Sequence, residues 1–239
     1  MPFQMSLSQA SLAAAILAST AGTYVALSPP NPSVQTSPAT GDSLRWLRLT
    51  SKHTTKFSMA PCGFLALHTC ALVLLHPKIP SSIIRHGAEN GLNPNVITWS
   101  PATAIPLALM LCAGIPLRLH SYASLGKNFT FALAEPDHLK TDGIYRYVQH
   151  PSYTALVVLL LSNIALLGRL DGALSCWPPP RWYSLFRTLA LALAPVGLAV
   201  LVTGVWTRVR QEERMLRAAF TTEWEQWHAN TSRFIPWLF

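Results

Sequence analysis

The chain has 239 residues, of which 50% are hydrophobic and only 12% charged, with a formal net charge of +8 and a mean hydropathy of +0.29. A soluble domain carries about a quarter charged residues, so this deficit excludes an ordinary soluble globule and points to an integral membrane protein. The positive balance does not mark a nucleic-acid binder, because Lys and Arg sit in short connections between apolar blocks rather than in one patch with interleaved aromatics.

Five apolar segments follow one another, each measured against the ~20 apolar residues that a spanning helix needs. The first covers 7–27. No Lys or Arg precedes Arg45, so it lacks a basic leader and reads as a retained signal-anchor helix rather than a cleaved peptide. A stretch with Pro29, Pro30, Pro32 and Pro38 follows at 28–42 and reads as a flexible loop. The second segment covers 58–76. The third, 97–117, contains Pro101, Pro106 and Pro116, and two readings stay open: a kinked helix, or a helix bent around a cavity. The fourth, 151–167, is short for a full span; it either tilts little or forms half of a tight hairpin with the fifth, 185–206. The loop between them carries Pro178, Pro179 and Pro180 and cannot be helical throughout.

Basic residues orient these spans. The 28–57 connection has Arg45, Arg48, Lys52 and Lys56, and the 118–150 connection has Arg118, Lys127, Lys140 and Arg146. The tail has Arg208, Arg210, Arg214, Arg217 and Arg233, whereas the opposite side holds only Lys78, Arg85, Arg169, Arg181 and Arg187. A five-span protein then has its N-terminus outside and its C-terminus in the cytosol, with 118–150 and 207–239 sharing the cytosolic face.

The four cysteines, Cys62, Cys70, Cys112 and Cys176, form no CxxC pair. They predict free thiols, with neither a disulfide framework nor a metal site. His68 and His76 in the second span, and His120 just past the third, suit hydrogen bonding better than catalysis, because no carboxylate lies within the spans. Asn128-Phe129-Thr130 has the glycosylation pattern but falls on the cytosolic side. The chain ends Trp237-Leu238-Phe239, so no prenylation box of its own is expected.

Two blocks concentrate polar chemistry beside the spans. The first is Thr141-Asp142-Gly143-Ile144-Tyr145-Arg146-Tyr147-Val148-Gln149-His150-Pro151-Ser152-Tyr153, in which Pro151 suits the first turn of a helix. By composition alone it fits an aromatic belt with a basic anchor. The second is Arg208-Val209-Arg210-Gln211-Glu212-Glu213-Arg214-Met215-Leu216, expected to continue the fifth span as helix. Arg208 and Glu212 share one face at i, i+4, as do Glu213 and Arg217, and by spacing alone this is a solvated helix laced with ion pairs.

Together these blocks resemble the paired signatures of the isoprenylcysteine carboxyl methyltransferase family, a Gly-x-Tyr…Arg-His-Pro-Ser-Tyr block and an Arg-x-x-x-Glu-Glu block. An aromatic-rich tail follows in the family, here Phe220 to Trp227 and then Thr231-Ser232-Arg233-Phe234-Ile235-Pro236. The resemblance covers about the C-terminal half. It implies an all-α integral membrane protein of about five transmembrane helices with a cytosolic C-terminal cofactor-binding region. Residues 1–116 would be N-terminal helices and loops, and 117–239 the methyltransferase core. The implied activity is methyl esterification of the carboxylate of a C-terminal prenylcysteine, on a prenylated protein or peptide, at the endoplasmic reticulum membrane.

The implied cofactor is S-adenosyl-L-methionine, bound without a Rossmann fold, and the chain has no GxGxxG run. Carried over by position, Asp137, His138, Leu139, Lys140, Tyr145, His150, Pro151, Ser152 and Tyr153 would contact the cofactor. Glu212 would hold its amino group and Arg208 would face the substrate carboxylate. The residue types suit that chemistry: a carboxylate for an ammonium, tyrosine faces for a sulfonium, and an arginine fork for a carboxylate acceptor that is already ionised and needs positioning rather than a base. The expected mechanism is direct displacement, with catalysis mostly by orientation.

The chain departs from the family pattern at Gln149, where Arg is usual, at Thr221, where Gly is usual, and at Trp224 and Trp227 in place of tyrosines. The first change is expected to weaken a charged contact behind the site, and the others to tune the surface. A phospholipid N-methyltransferase is the nearest rival, but its amine acceptor would not suit Arg208. An NADPH-dependent sterol reductase would need basic residues grouped for a phosphate, and too few are grouped here. A catalytically degenerate membrane scaffold is the remaining alternative, on the strength of Gln149.

Overall fold

A computed structural model describes residues 5–31 and 52–236. Most of the 28–42 loop, with Arg45, Arg48 and the Trp237-Leu238-Phe239 end, lies outside the described residues. The fold is all-α: among the described residues β-pairing is confined to one isolated parallel bridge, Val148 to Ser232.

Helix α1, Leu7–Leu27, starts at a reciprocal cap in which Ser6 Oγ accepts from the Gln9 amide and Gln9 Oε1 accepts from the Ser6 amide. Helix α2 is Lys52–Leu75. Gln9 Nε2 also donates to the carbonyls of Val73 (3.0 Å), Leu74 (3.3 Å) and His76 (2.6 Å), at the end of α2 where helical donors run out. One side chain thus opens α1 and closes α2, which sets the two helices antiparallel.

The third segment resolves as α3 (Pro101–Ala108), a π-helical stretch (Leu109–Gly114) and α4 (Ile115–Leu125). Pro106 and Pro116 each lack an N–H, and the helix between them widens instead of breaking. Gly114 sits where a Cβ would lie 2.8 Å from Leu159 Cδ2, so the absent side chain permits close approach to α5, Pro151–Leu167. Leu12, Ile16, Leu72, Val73, Leu107, Met110 and Leu159, drawn from α1, α2, the third segment and α5, form the dry centre. All four cysteines are free thiols, as expected. His68 Nε2 meets the Ile83 carbonyl at 3.0 Å, a structural hydrogen bond.

Among the described residues four helices are long and apolar enough to cross a membrane: Leu7–Leu27, His53–Leu75, Pro94–Asn128 and Pro180–Ala229. The fifth apolar helix, α5, has 17 residues, about 25 Å at the helical rise. Helix α6, Pro180–Ala229, continues from the last apolar segment through the charged block at 208–216, as the sequence predicts. Its apolar part does not form a tight hairpin with α5. None of its most apolar window is buried, and Leu189, Leu193, Val196 and Val200 all lie exposed. That part ends at Trp206, over whose ring stand the guanidinium groups of Arg210 (5.7 Å) and Arg233 (6.0 Å).

Within α6 the backbone breaks at Thr221, with φ 42° and ψ −107°. Only glycine adopts such angles without strain, and a β-branched residue there is a steric outlier. Substitution at this position is therefore a backbone matter, not the surface tuning expected from sequence. Relief of strain of this kind is worth about 1–3 kcal/mol, offset in part by the greater unfolded-state freedom of glycine. Thr221→Gly is expected to raise the thermal unfolding midpoint in detergent, with a net gain of about 1 kcal/mol; an unchanged or lower midpoint would count against the strain.

Candidate active site

The two polar blocks meet at one end of the bundle around a cavity of about 270 Å³. Helix periodicity supplies one wall: Arg208, Glu212 four residues on, and Met215 and Leu216 three and four further along α6 all line it. The start of α5 supplies the opposite wall. Pro151 occupies the first turn, as expected, and His150, Ser152 and Tyr153 line the space. Between α4 and α5 the chain turns at Gly143, whose φ of +60° suits glycine, into a short 3-10 turn, Gly143–Arg146, that buries Tyr145. Trp227 Nε1 donates to the Tyr145 carbonyl at 2.8 Å. Burial pushes the Tyr145 phenol above its ordinary range, so it remains a hydrogen-bond donor at physiological pH.

Tyr153 Oη donates to Glu212 Oε2 at 2.9 Å and fixes that carboxylate at the cavity wall. Arg208 is buried, and its Nη2 donates to the Phe131 carbonyl at 2.6 Å. The His150 ring is wedged between two carboxylates, with Nδ1 3.8 Å from Glu212 Oε1 and Nε2 3.7 Å from Glu213 Oε1. Neither ring nitrogen reaches a hydrogen-bond partner, although the residue is only 3% exposed.

Glu213 points away from solvent. Arg233 Nε donates to it at 2.7 Å and Arg210 Nη1 at 3.3 Å. Burial alone would raise its pKa; the neighbouring His150 ring and Arg233 guanidinium outweigh that and hold it at about 2. The expected pairing of Glu213 with Arg217 does not form, because Glu213 faces inward while Arg217 lies outside and pairs with Glu225 at 2.9 Å.

Arg233 belongs to a strap, residues 231–234, laid against the start of α5. The amides of Gln149 and His150 donate to the carbonyls of Ser232 (2.8 Å) and Arg233 (2.9 Å), and Thr154 Oγ1 donates to that of Phe234 (2.9 Å). Gln149, where a charged contact was expected to weaken, is buried and well partnered. Its Nε2 donates to the Thr231 carbonyl at 2.7 Å, and its Oε1 lies 2.9 Å from His228 Nδ1. A neutral amide here replaces charge with hydrogen bonds to the strap.

The residues assigned from sequence gather at this cavity, with one exception. His138, Leu139, Lys140, Tyr145, His150, Pro151, Ser152, Tyr153, Arg208 and Glu212 all line it. Asp137 does not; it is exposed and turned to Lys127, 2.7 Å away, while Leu139 is drawn into an apolar cluster with Leu216 and Trp224.

Sequence reasoning missed Arg118, counted there among loop charges. It is 6% exposed and lines the cavity. Its Nε donates to Tyr122 Oη (3.0 Å) and to the Ala26 carbonyl (3.2 Å), and its Nη1 to the carbonyl and hydroxyl of Ser152. The signal that could have found it is an arginine abutting the third span with tyrosine four residues on, a cation at membrane depth that needs partners.

Fold and site together define the class: an all-helical membrane protein with a largely apolar cavity at the end of its helices, on whose wall stand arginines and a carboxylate. Residues 107–175 match the sequence model of the Isoprenylcysteine carboxyl methyltransferase (ICMT) family, a segment that runs from α3 through α5 and carries much of the cavity wall. Over 62 residues the chain is 42% identical to the Protein-S-isoprenylcysteine O-methyltransferase of Schizosaccharomyces pombe, an alignment covering 24% of this chain and 26% of that relative. The chain thus spans about a quarter of the length of the curated relative it matches. The resemblance read from the motifs is supported over this segment.

The low pKa of Glu213 has a consequence for stability. Because its folded-state value lies near 2, below the ordinary 4.5, its contribution is present in full above about pH 4.5 and is lost as pH falls toward 2. Thermal unfolding in detergent from pH 6 down to about 2 is expected to show that loss in the wild type and a flatter profile in Glu213→Gln; parallel profiles would contradict it.

Proposed function

We propose that the protein is a methyltransferase that uses S-adenosyl-L-methionine to esterify the C-terminal carboxylate of a prenylated cysteine, on a protein or peptide. The observation that carries this reading is the convergence of both motif blocks on one cavity, with Arg208 and Glu212 one helical turn apart on its wall. The matched family segment and the named fission-yeast relative support it.

The cavity residues fit a zwitterionic, cationic cofactor. Glu212 presents a carboxylate held by Tyr153, and the buried His150 ring offers two nitrogens without hydrogen-bond partners. Bound there, S-adenosyl-L-methionine would supply an electrophilic methyl group. Glu212 would hold its ammonium, and Tyr145, Tyr153 and the run from His138 to Lys140 would enclose the rest. Arg208 would orient the acceptor carboxylate, which is ionised near neutral pH and requires no general base. Leu133, Leu156 and Phe131 line the same space and exclude water from the reacting groups. An amine acceptor, as in phospholipid N-methylation, would meet two buried guanidinium groups, Arg118 and Arg208, which disfavours that reading.

We assign catalysis to residues 117–239, with the bundle of 1–116 as membrane support. We place the protein in the endoplasmic reticulum membrane, as the family resemblance implies, and the cavity on the cytosolic face, on the bias of basic residues toward that side.

The test is methyl transfer from labelled S-adenosyl-L-methionine to N-acetyl-farnesylcysteine in membranes. Base-labile ester is expected from wild type, with kcat/KM lower by about 10- to 100-fold in both Arg208→Ala and Glu212→Ala. Folded wild-type protein that forms no ester, or that methylates phospholipid headgroups instead, would overturn the assignment.

A further inference from the structure

We infer that Arg118 is a second carboxylate-binding residue of the cavity, an assignment that rests on the methyltransferase reading above. Of its five N–H donors, those on Nε and Nη1 are used by Ala26, Tyr122 and Ser152. Among the described residues Nη2 donates to nothing, and the side chain lines the cavity while 6% exposed.

Its charge is also short of compensation. No carboxylate lies within salt-bridge distance of Arg118 among the described residues. Its surroundings are neutral: two carbonyls, two hydroxyls, and the rings of Tyr122, Phe129 and Phe131 at 5.3–5.6 Å from the guanidinium carbon. The Ala26 carbonyl belongs to the last turn of α1, whose dipole offers roughly half an elementary negative charge. A buried full charge calls for a full counter-charge. The free arm and the missing charge point in one direction, toward a carboxylate in the cavity.

Arg118 and Arg208 together give the cavity two guanidinium groups, and the proposed reactants bring two carboxylates, one on the methyl donor's amino-acid moiety and one on the acceptor. The clasp by Ser152 at the start of α5 holds the Arg118 fork in place before any ligand arrives, which limits the ordering cost of binding.

The assignment is tested by equilibrium binding of S-adenosylhomocysteine and of 5′-methylthioadenosine, which lacks the amino-acid moiety, to the full-length protein in detergent. Wild type, Arg118→Gln and Arg118→Lys are compared, with thermal unfolding as the folding control. If Arg118 takes the donor's carboxylate, Arg118→Gln weakens S-adenosylhomocysteine by about 10- to 100-fold and leaves 5′-methylthioadenosine unchanged. Arg118→Lys, which keeps the charge but not the fork, shows a smaller loss in the same direction. If it takes the acceptor's carboxylate, both donor-site affinities hold and the KM for N-acetyl-farnesylcysteine rises by the same factor. Should Arg118→Gln not fold, Arg118→Lys carries the comparison. A folded variant with both affinities and that KM unchanged, or one that weakens both nucleosides alike, overturns the assignment. Wild type that binds neither nucleoside overturns the methyltransferase reading itself, and this inference with it.

Discussion

Glu213 is ionised and only 5% exposed, and an ionised carboxylate so placed is tolerated only when cations and donors are gathered around it. That requirement organises the cavity end of the molecule. Arg233 reaches Glu213 from twenty residues further along the chain, Arg210 from one turn earlier, and the His150 ring from the start of α5. Through Arg233 the strap is drawn across α5, where its carbonyls meet the amides of Gln149 and His150. The same His150 ring stands next to Glu212. The cavity wall is thus held by a charge that does not itself face the cavity.

The two glutamates illustrate how position on one helix divides labour. Neighbours in sequence point about 100° apart around a helix axis, so Glu212 lines the cavity while Glu213 turns into the protein. The first is bonded by a neutral phenol and lies partly open; the second is surrounded by cations. One dipeptide therefore provides both a carboxylate available to a ligand and the anchor for the wall behind it.

Much of this was legible in the sequence. Long apolar runs fix where the helices lie, and Pro151 marks the start of α5. The charged block after the last apolar run continues as helix. The motif blocks name Arg208, Glu212 and the α5 side of the cavity, but not the run from Asn128 to Ala134 that also lines it. What stayed hidden depended on tertiary placement. Prolines announce an irregular third segment, but they do not say whether the helix will kink or widen to a π-turn. Ion pairing along one helix suggested Glu213 with Arg217, whereas burial selected a distant arginine. Arg118 was obscured because the same residue type, just past a span, also serves to orient a membrane protein. Thr221 looked like surface variation because a sequence shows the side chain and not the sign of φ.

The apolar part of α6 has one property the other helices lack, since it buries almost nothing against its neighbours. Elsewhere in the bundle, packing sets each helix's inclination; here no packing does so, and a spanning helix in lipid adjusts its tilt to the thickness of the hydrocarbon layer. The far end of that rod carries Arg208 and Glu212, and its membrane boundary is marked by Trp206 between two arginines. A change in the tilt of that rod would therefore be felt at the cavity wall.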